Sequence, residues 1–378
     1  MKLLSACLLF HLLVTSSAIK WLAVGRQNGP LRRSDCRRLK RETIFTKDQS
    51  RMCTENADII PVLKHSSETV IKSCKTLFGR NRWNCSSIEK LPKLSRDLTI
   101  GSKEQAFVHA FSTASLIQII AQACASGSIS SCSCGTPIRK RKELEPDKRA
   151  RDAMSTENRH AFIGCGHNLR FATKFARNFA DVPWDKRLRK TTRRPTKNLR
   201  LNKRSLTNLH NNRVGRQVAN KLVQEKCRCH GTSGSCTAKS CWRIVPSLEK
   251  IGKHIQVLYG ESIQVRAKFN KKKEKRVLIK VTNPFKKAPI NKNVKPDQLV
   301  FYTISPDYCK ADERFETPGT TGRTCEEVGD GSCESLCCGR GYTTESIKVV
   351  ERCDCKYYWC CYIKCSKCTK LIEVHQCR

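Results

Sequence analysis

CRCHGTSGSC, running from Cys227 to Cys236 with Cys241 close behind, packs a CxC pair, a glycine-rich turn and two serines into one short segment. Cys227 and Cys229 are two apart, so on an extended strand they point to one face. Each needs a partner on the returning chain, at Cys236 or Cys241. Nested bridges, Cys229 with Cys236 inside Cys227 with Cys241, are the simplest closure. A regular antiparallel hairpin keeps one register, and these two pairs differ by three, so three extra residues must bulge on the return side. The loop left between the inner cysteines is HGTSGS, rigidly held, with the Ser233 hydroxyl near its tip.

That serine does not read as a nucleophile. His230 is three residues away, but GTSGS departs from the GxSxG elbow because Ser235 stands at the last glycine, and no strand-to-helix context or acid partner is evident. The chain therefore reads as a non-enzyme. Its N-terminus has Lys2, an apolar run from Leu3 to Val14, and small residues at Ser16 and Ala18, a signal peptide over residues 1–18 cleaved after Ala18. The run is too short to span a membrane. No later segment reads as reaching that length, so the processed chain is expected to be soluble unless modified. One of the 25 cysteines, Cys7, lies in the signal, leaving an even number that suits bridges in an oxidising compartment and no free thiol nucleophile. Asn84-Cys85-Ser86 is a glycosylation sequon.

A zinc protein that binds nucleic acid would also combine cysteines with a charge of +40, and Cys365-Ser366-Lys367-Cys368 has zinc-ligand spacing. The signal peptide, the adjacent pairs Cys337-Cys338 and Cys360-Cys361, and the lack of repeated CxxC units argue against it. Neither a metal nor a nucleic-acid partner is expected. The charge is concentrated: Lys186 to Arg204 holds ten Lys or Arg and no acid, and Lys268 to Lys287 holds nine against Glu274 alone. Both read as solvated loops. Outside the cell such patches should hold sulphated polysaccharide, making a heparan sulphate proteoglycan an expected partner.

Two regions differ in character. From about Met52 to Lys226 the chain carries helix signals: Ser102 with Gln105 as a capping box, an apolar run through Ile120, and Gly127 where a C-cap belongs. Leu169, Phe171, Phe175 and Phe179 space a helix over His167 to Ala180, and Asn212 to Glu225 reads as another. His109 and His167 fall in such helices as structural histidines. After Lys295 the composition changes, with twelve cysteines between Cys309 and Cys377, a module held by bridges because it is too small for a large core.

CHGTSGSC resembles the hallmark of the Wnt family of secreted signalling proteins, usually CHG, an aliphatic residue, then SGSC; Thr232 takes the variable place. NRWNCS at Asn81 to Ser86, AFVHAFSTAS from Ala106, FIGCG at Phe162 to Gly166, SPDYC at Ser305 to Cys309, LCCGRGY at Leu336 to Tyr342 and ERCDCKYYWCCYIKC at Glu351 to Cys365 are similar to family patterns in the same order. Together they span about Cys36 to Arg378. The unusual positive charge is the chief departure.

The resemblance implies an α+β fold: a helical N-terminal domain carrying the acylated hairpin loop over residues 19–265, a basic linker over 266–300, and a cysteine-rich β-hairpin domain over 301–378. It implies bridges between Cys74 and Cys85, Cys124 and Cys132, Cys134 and Cys165, Cys309 and Cys338, Cys325 and Cys333, and Cys337 and Cys377. It also pairs Cys353 with Cys368 and Cys355 with Cys365, close to one hairpin register, and leaves Cys36 and Cys53 to each other. Adjacent Cys360 and Cys361 can bridge each other or separate partners, and family precedent favours each other. Trp359, Cys360, Cys361 and Tyr362 would then sit at a projecting tip suited to binding.

By the same resemblance, Ser233 receives a monounsaturated fatty acyl ester from the acyltransferase Porcupine. The acylated loop enters a groove of the Frizzled receptor's cysteine-rich domain while the tip grips its other side, and a low-density-lipoprotein-receptor-related co-receptor joins in one branch. An exposed acyl chain further implies a lipid-shielding secretion carrier. The competing expectation is a non-acylated, disulfide-rich matrix-binding or antagonist protein on the same scaffold.

Overall fold

The computed structural model describes residues 18–135, 161–192, 199–270, 275–281 and 293–378; most of the signal peptide and part of each basic run lie outside them. The chain divides into one unit up to Leu77 and from Ser87 to Ser305, and another of Phe78–Ser86 with Pro306–Arg378.

The first unit is helical. Its α-helices are α1 (Asp35–Arg41), α2 (Lys47–Glu55), α3 (Ile59–Phe78, whose last residue falls in the other unit), α4 (Lys103–Ala125), α5 (Leu169–Thr192), α6 (Leu199–Lys221) and α7 (Leu248–Gly260). Helix α4 is the centre. Ser102 caps it, its Oγ accepting from Gln105 N at 3.2 Å, and Gly127 follows its end with φ +74°. The capping box is only half made, because Gln105 Oε1 accepts from Gly101 N at 2.7 Å. In length and composition α4 could cross a membrane, contrary to the sequence expectation, but 94% of its most apolar window is buried inside the unit.

Helix α5 starts two residues after His167 and stacks Phe175 on Phe179, onto which Trp21 and Phe45 turn edge to face. Helix α6 begins well before the expected Asn212 and ends at Lys221. Its first half is hard to read because the buried side chains there are polar, Ser205, Thr207, Asn208, Asn211 and Asn212, whereas Val214, Val218 and Ala219 are buried only further on. The first basic run is therefore helical at both ends rather than a loop, consistent with the good helix propensity of Lys and Arg; 193–198 lie outside the described residues.

Strands β1 (Ala161–Ile163), β2 (Gln224–Cys229) and β3 (Lys239–Ile244) form one sheet in the order β1-β3-β2. Strands β4 (Ile263–Asn270), β5 (Lys275–Lys280) and β6 (Val300–Phe301) form a second, ordered β5-β4-β6. Within residues 266–300, expected as a linker, 266–270 and 275–280 are thus strands of a sheet of the first unit, while 271–274 and 282–292 lie outside the described residues. Val265, Ile279 and Val300 are buried among the lysines, and the Asn211 side chain clamps β6 by bonding both Val300 N and O at 3.0 and 2.9 Å.

The second unit comprises β7 (Thr324–Cys325), the short α8 (Cys333–Leu336), and the long hairpin β8 (Tyr342–Tyr358) and β9 (Tyr362–Cys377), in sheet order β7-β9-β8. Its core is small: Cys325, Cys333, Leu336, Cys337 and Cys377. Phe78 and Trp83 meet edge to face in the same unit. Most hairpin side chains are exposed, so bridges rather than apolar burial hold it.

Candidate functional site

The hairpin loop is built on β2 and β3. Cys227 stands opposite Cys241 in the ladder and bonds to it. Cys229 stands opposite Lys239, yet its sulfur goes to Cys236. The three extra residues expected on the return side lie here, in the turn beyond the ladder, and the strands themselves keep one register. The sheet is tied to the helical unit by FIGCG: β1 runs parallel to β3, Gly164 N donates to Cys241 O at 3.0 Å, His167 N donates to Arg243 O at 2.8 Å, and Cys165 bonds Cys134. His167 Nδ1 also accepts from Val245 N at 3.0 Å, a structural role as expected, although His167 precedes α5 instead of lying in it.

Inside the loop, His230 N donates to Ala238 O at 2.6 Å and Gly231 N to Ser235 O at 2.8 Å, closing a 3₁₀ turn over Thr232–Gly234. Ser233 sits at its apex in left-handed backbone, φ 55° and ψ 28°. It is exposed, and its hydroxyl has no hydrogen-bond partner among the described residues. His230 Nε2 pairs with Ser240 Oγ at 2.9 Å, not with Ser233. Among the described residues, then, the Ser233 hydroxyl is exposed with no imidazole or carboxylate bonded to it.

The second unit ends in a three-residue tip. Tyr358 and Tyr362 close the ladder and stack at 5.1 Å, and Trp359, Cys360 and Cys361 bridge them. Trp359 is 92% exposed. Tyr357 and Ile363, at 69% and 66%, extend the same apolar end; the KYYWCCYI segment contains this signal, although the sequence reading takes only part of it. The expected Cys360–Cys361 bridge is absent: both are free thiols with sulfurs 3.3 Å apart. Neighbouring residues lie about 3.8 Å apart at Cα, shorter than disulfides usually span, and the turn holds them at φ 69° and 96°.

The other bridges fall where expected: Cys124–Cys132, Cys309–Cys338, Cys325–Cys333, Cys337–Cys377, Cys353–Cys368 and Cys355–Cys365, with Cys36–Cys53 also formed. Cys74 and Cys85 are both disulfide-bonded. The zinc-like Cys365 and Cys368 are thereby consumed, and a bridged sulfur is not a thiolate ligand. Asn84 is half-buried, its Oδ1 accepting from Ser86 N at 3.1 Å.

One unit thus presents a bridge-braced hairpin loop with an exposed serine, and the other a bridge-held hairpin with an exposed aromatic tip, the marks of a disulfide-rich α+β protein. The profile of the Wnt family matches residues 41–378, and the chain belongs to that family, whose members are secreted signalling ligands and not enzymes. It is 34% identical to bovine Wnt-16, over 87% of this chain and 85% of that one. It is likewise 34% identical to Xenopus laevis Wnt-11, over 95% and 94%, and 33% identical to Ambystoma mexicanum Wnt-5a, over 87% and 84%. In fold it resembles a chain of the human WLS complex with WNT8A, at TM-score 0.53 and 24% identity, covering 85% of this chain and 95% of that one.

Proposed function

We propose that this chain is a lipid-modified Wnt ligand that binds the Frizzled cysteine-rich domain and activates signalling. The observation that carries the reading is the Ser233 hydroxyl, exposed and unengaged at the left-handed apex of a bridged loop. Porcupine is the proposed source of a monounsaturated acyl ester there. Burial at about 0.8 kcal/mol per CH₂ gives such a chain on the order of 10 kcal/mol, enough to anchor a receptor contact but marginal for lasting membrane attachment alone. The apolar tip at Trp359, Cys360, Cys361 and Tyr362 is the second receptor contact. The low-density-lipoprotein-receptor-related co-receptor completes the proposed assembly.

The complex of human WLS with WNT8A supports a carrier of the same kind shielding this chain's acyl group during export. Heparan sulphate proteoglycan and matrix retention follow from the net charge of +40. The test is Ser233→Ala expressed beside wild type with Porcupine present. Wild-type peptide should gain the mass of a monounsaturated acyl ester, and Ser233→Ala should be bridged but inactive in a Frizzled-dependent reporter. An unmodified Ser233 in active protein would refute the proposal, and in inactive protein would favour a non-acylated matrix or antagonist protein.

A further inference from the structure

Away from the loop and the tip, three donors meet on the cysteine-rich unit. Glu373 and His375 are two apart on β9, so their side chains leave one face of the strand. Glu327 arrives just after β7, whose Cys325 pairs with His375. One carboxylate oxygen from each glutamate and an imidazole nitrogen lie within 4.8 Å of one another.

The imidazole is the fixed member. His375 is only 8% exposed, its Nδ1 shares a 2.8 Å hydrogen bond with Thr344 Oγ1, and the Tyr342 ring meets it edge to face at 5.3 Å. Nε2 is left facing Glu327 Oε1 at 3.6 Å, beyond hydrogen-bond length. An imidazole oriented through Nδ1 with Nε2 available is the usual preparation of a metal-binding histidine. The carboxylates add to this: in a chain with 73 Lys and Arg, neither Glu327 nor Glu373 pairs with one among the described residues. The sulfur groupings, such as Cys325 with Cys333 and Cys337, are already spent in bridges.

We propose that Glu327, Glu373 and His375 bind one divalent cation of the zinc class, with water filling the open position. A nitrogen donor with two carboxylates suits zinc, whereas calcium takes six to eight oxygens. The cation ties the segment after β7 to β9, next to the strand end at Cys377.

The experiment uses full-length secreted protein carrying Cys360→Ser and Cys361→Ser, which removes the exposed thiols as competing ligands. After chelation it is titrated with zinc chloride by calorimetry, and the melting temperature is followed in parallel. One zinc per chain is expected, with a rise in melting temperature. Because both glutamates are exposed, adding Glu327→Gln and Glu373→Gln should leave the zinc-free melting temperature unchanged while weakening binding at least about tenfold. No zinc uptake, uptake undiminished by the double substitution, or equal affinity for calcium would overturn the assignment.

Discussion

Ser233 and Gly234 take left-handed backbone one after the other, with φ 55° and 78°, above the Cys229–Cys236 bridge. A Cβ on Gly234 would meet nothing within 4 Å, so its cost is the left-handed backbone alone, about 1 kcal/mol. Gly234→Ala is therefore expected to be secreted and bridged, yet to display Ser233 in the native turn about fivefold less often and to be acylated less completely. Gly234→Asn should recover most of the loss, since Asn tolerates this conformation. Intact mass of the Cys229–Lys239 peptide measures it, and full acylation of Gly234→Ala would show that the turn does not matter. Gly231→Ala should be worse, because its Cβ would collide with Ser235 and Thr237.

How much of this was legible depends on whether the deciding pattern was local. The bridged loop was, because the cysteine spacing and the HGTSGS turn are contiguous. Helix α4 was too, because its cap at Ser102, its apolar-rich run through Ile120 and Gly127 after its end are contiguous, although Glu104, Gln105, His109, Ser112, Thr113, Ser115 and Gln118 are buried with the apolar residues. Helix α6 was not: Asn211 and Asn212 look like surface residues but are buried, bonded to Val300 and to Ala180 and Asp181 respectively. Those partners are distant in sequence. Likewise Trp21, Leu22, Ala23 and Val24 form a buried 3₁₀ segment beside the expected signal cleavage site, and their apolar run was the available sign. The His375 cluster joins side chains about fifty residues apart, which no local spacing displays.

His109 makes stability depend on acidity. It is buried on α4 with Nδ1 3.0 Å from Asn212 Oδ1, and burial pushes its pKa down to about 3, the Asn212 contact only partly opposing this. Between about 6.5, where the unfolded imidazole titrates, and about 3, the unfolded chain binds a proton that the folded chain refuses. The contribution is thus complete above pH 6.5 and is lost as pH falls, by up to about 1.4 kcal/mol per pH unit. His167 and His210, both lowered by burial, act in the same direction. His109→Gln should show a shallower fall in melting temperature from pH 7 to 4. Parallel curves would show that His109 takes up its proton without unfolding.

The tip thiols can be counted. Cys360 and Cys361 are exposed and unbridged, and the contact with Cys360 pushes the Cys361 thiol above its ordinary 9.0. Iodoacetamide without reductant should therefore add to both, slowly near neutrality and faster as rising pH forms thiolate. Peptide mapping should place both adducts at the tip. A chain that takes none at alkaline pH has the two sulfurs bonded to each other.

Trp359 separates binding from folding. At 92% exposure it contributes little to the hairpin, so Trp359→Ala should shift stability by no more than about 0.5 kcal/mol. Tyr358 and Tyr362 remain stacked beneath the turn and preserve its shape. As an aromatic contact closed over by a receptor, however, the same side chain should be worth about 2 kcal/mol, near thirtyfold in affinity. Surface plasmon resonance on an immobilised Frizzled cysteine-rich domain would read the loss, with acylation of Ser233 confirmed by mass so that the loop's contribution is held constant. Unchanged affinity would place the tip outside the contact and leave the acylated loop alone to explain receptor binding.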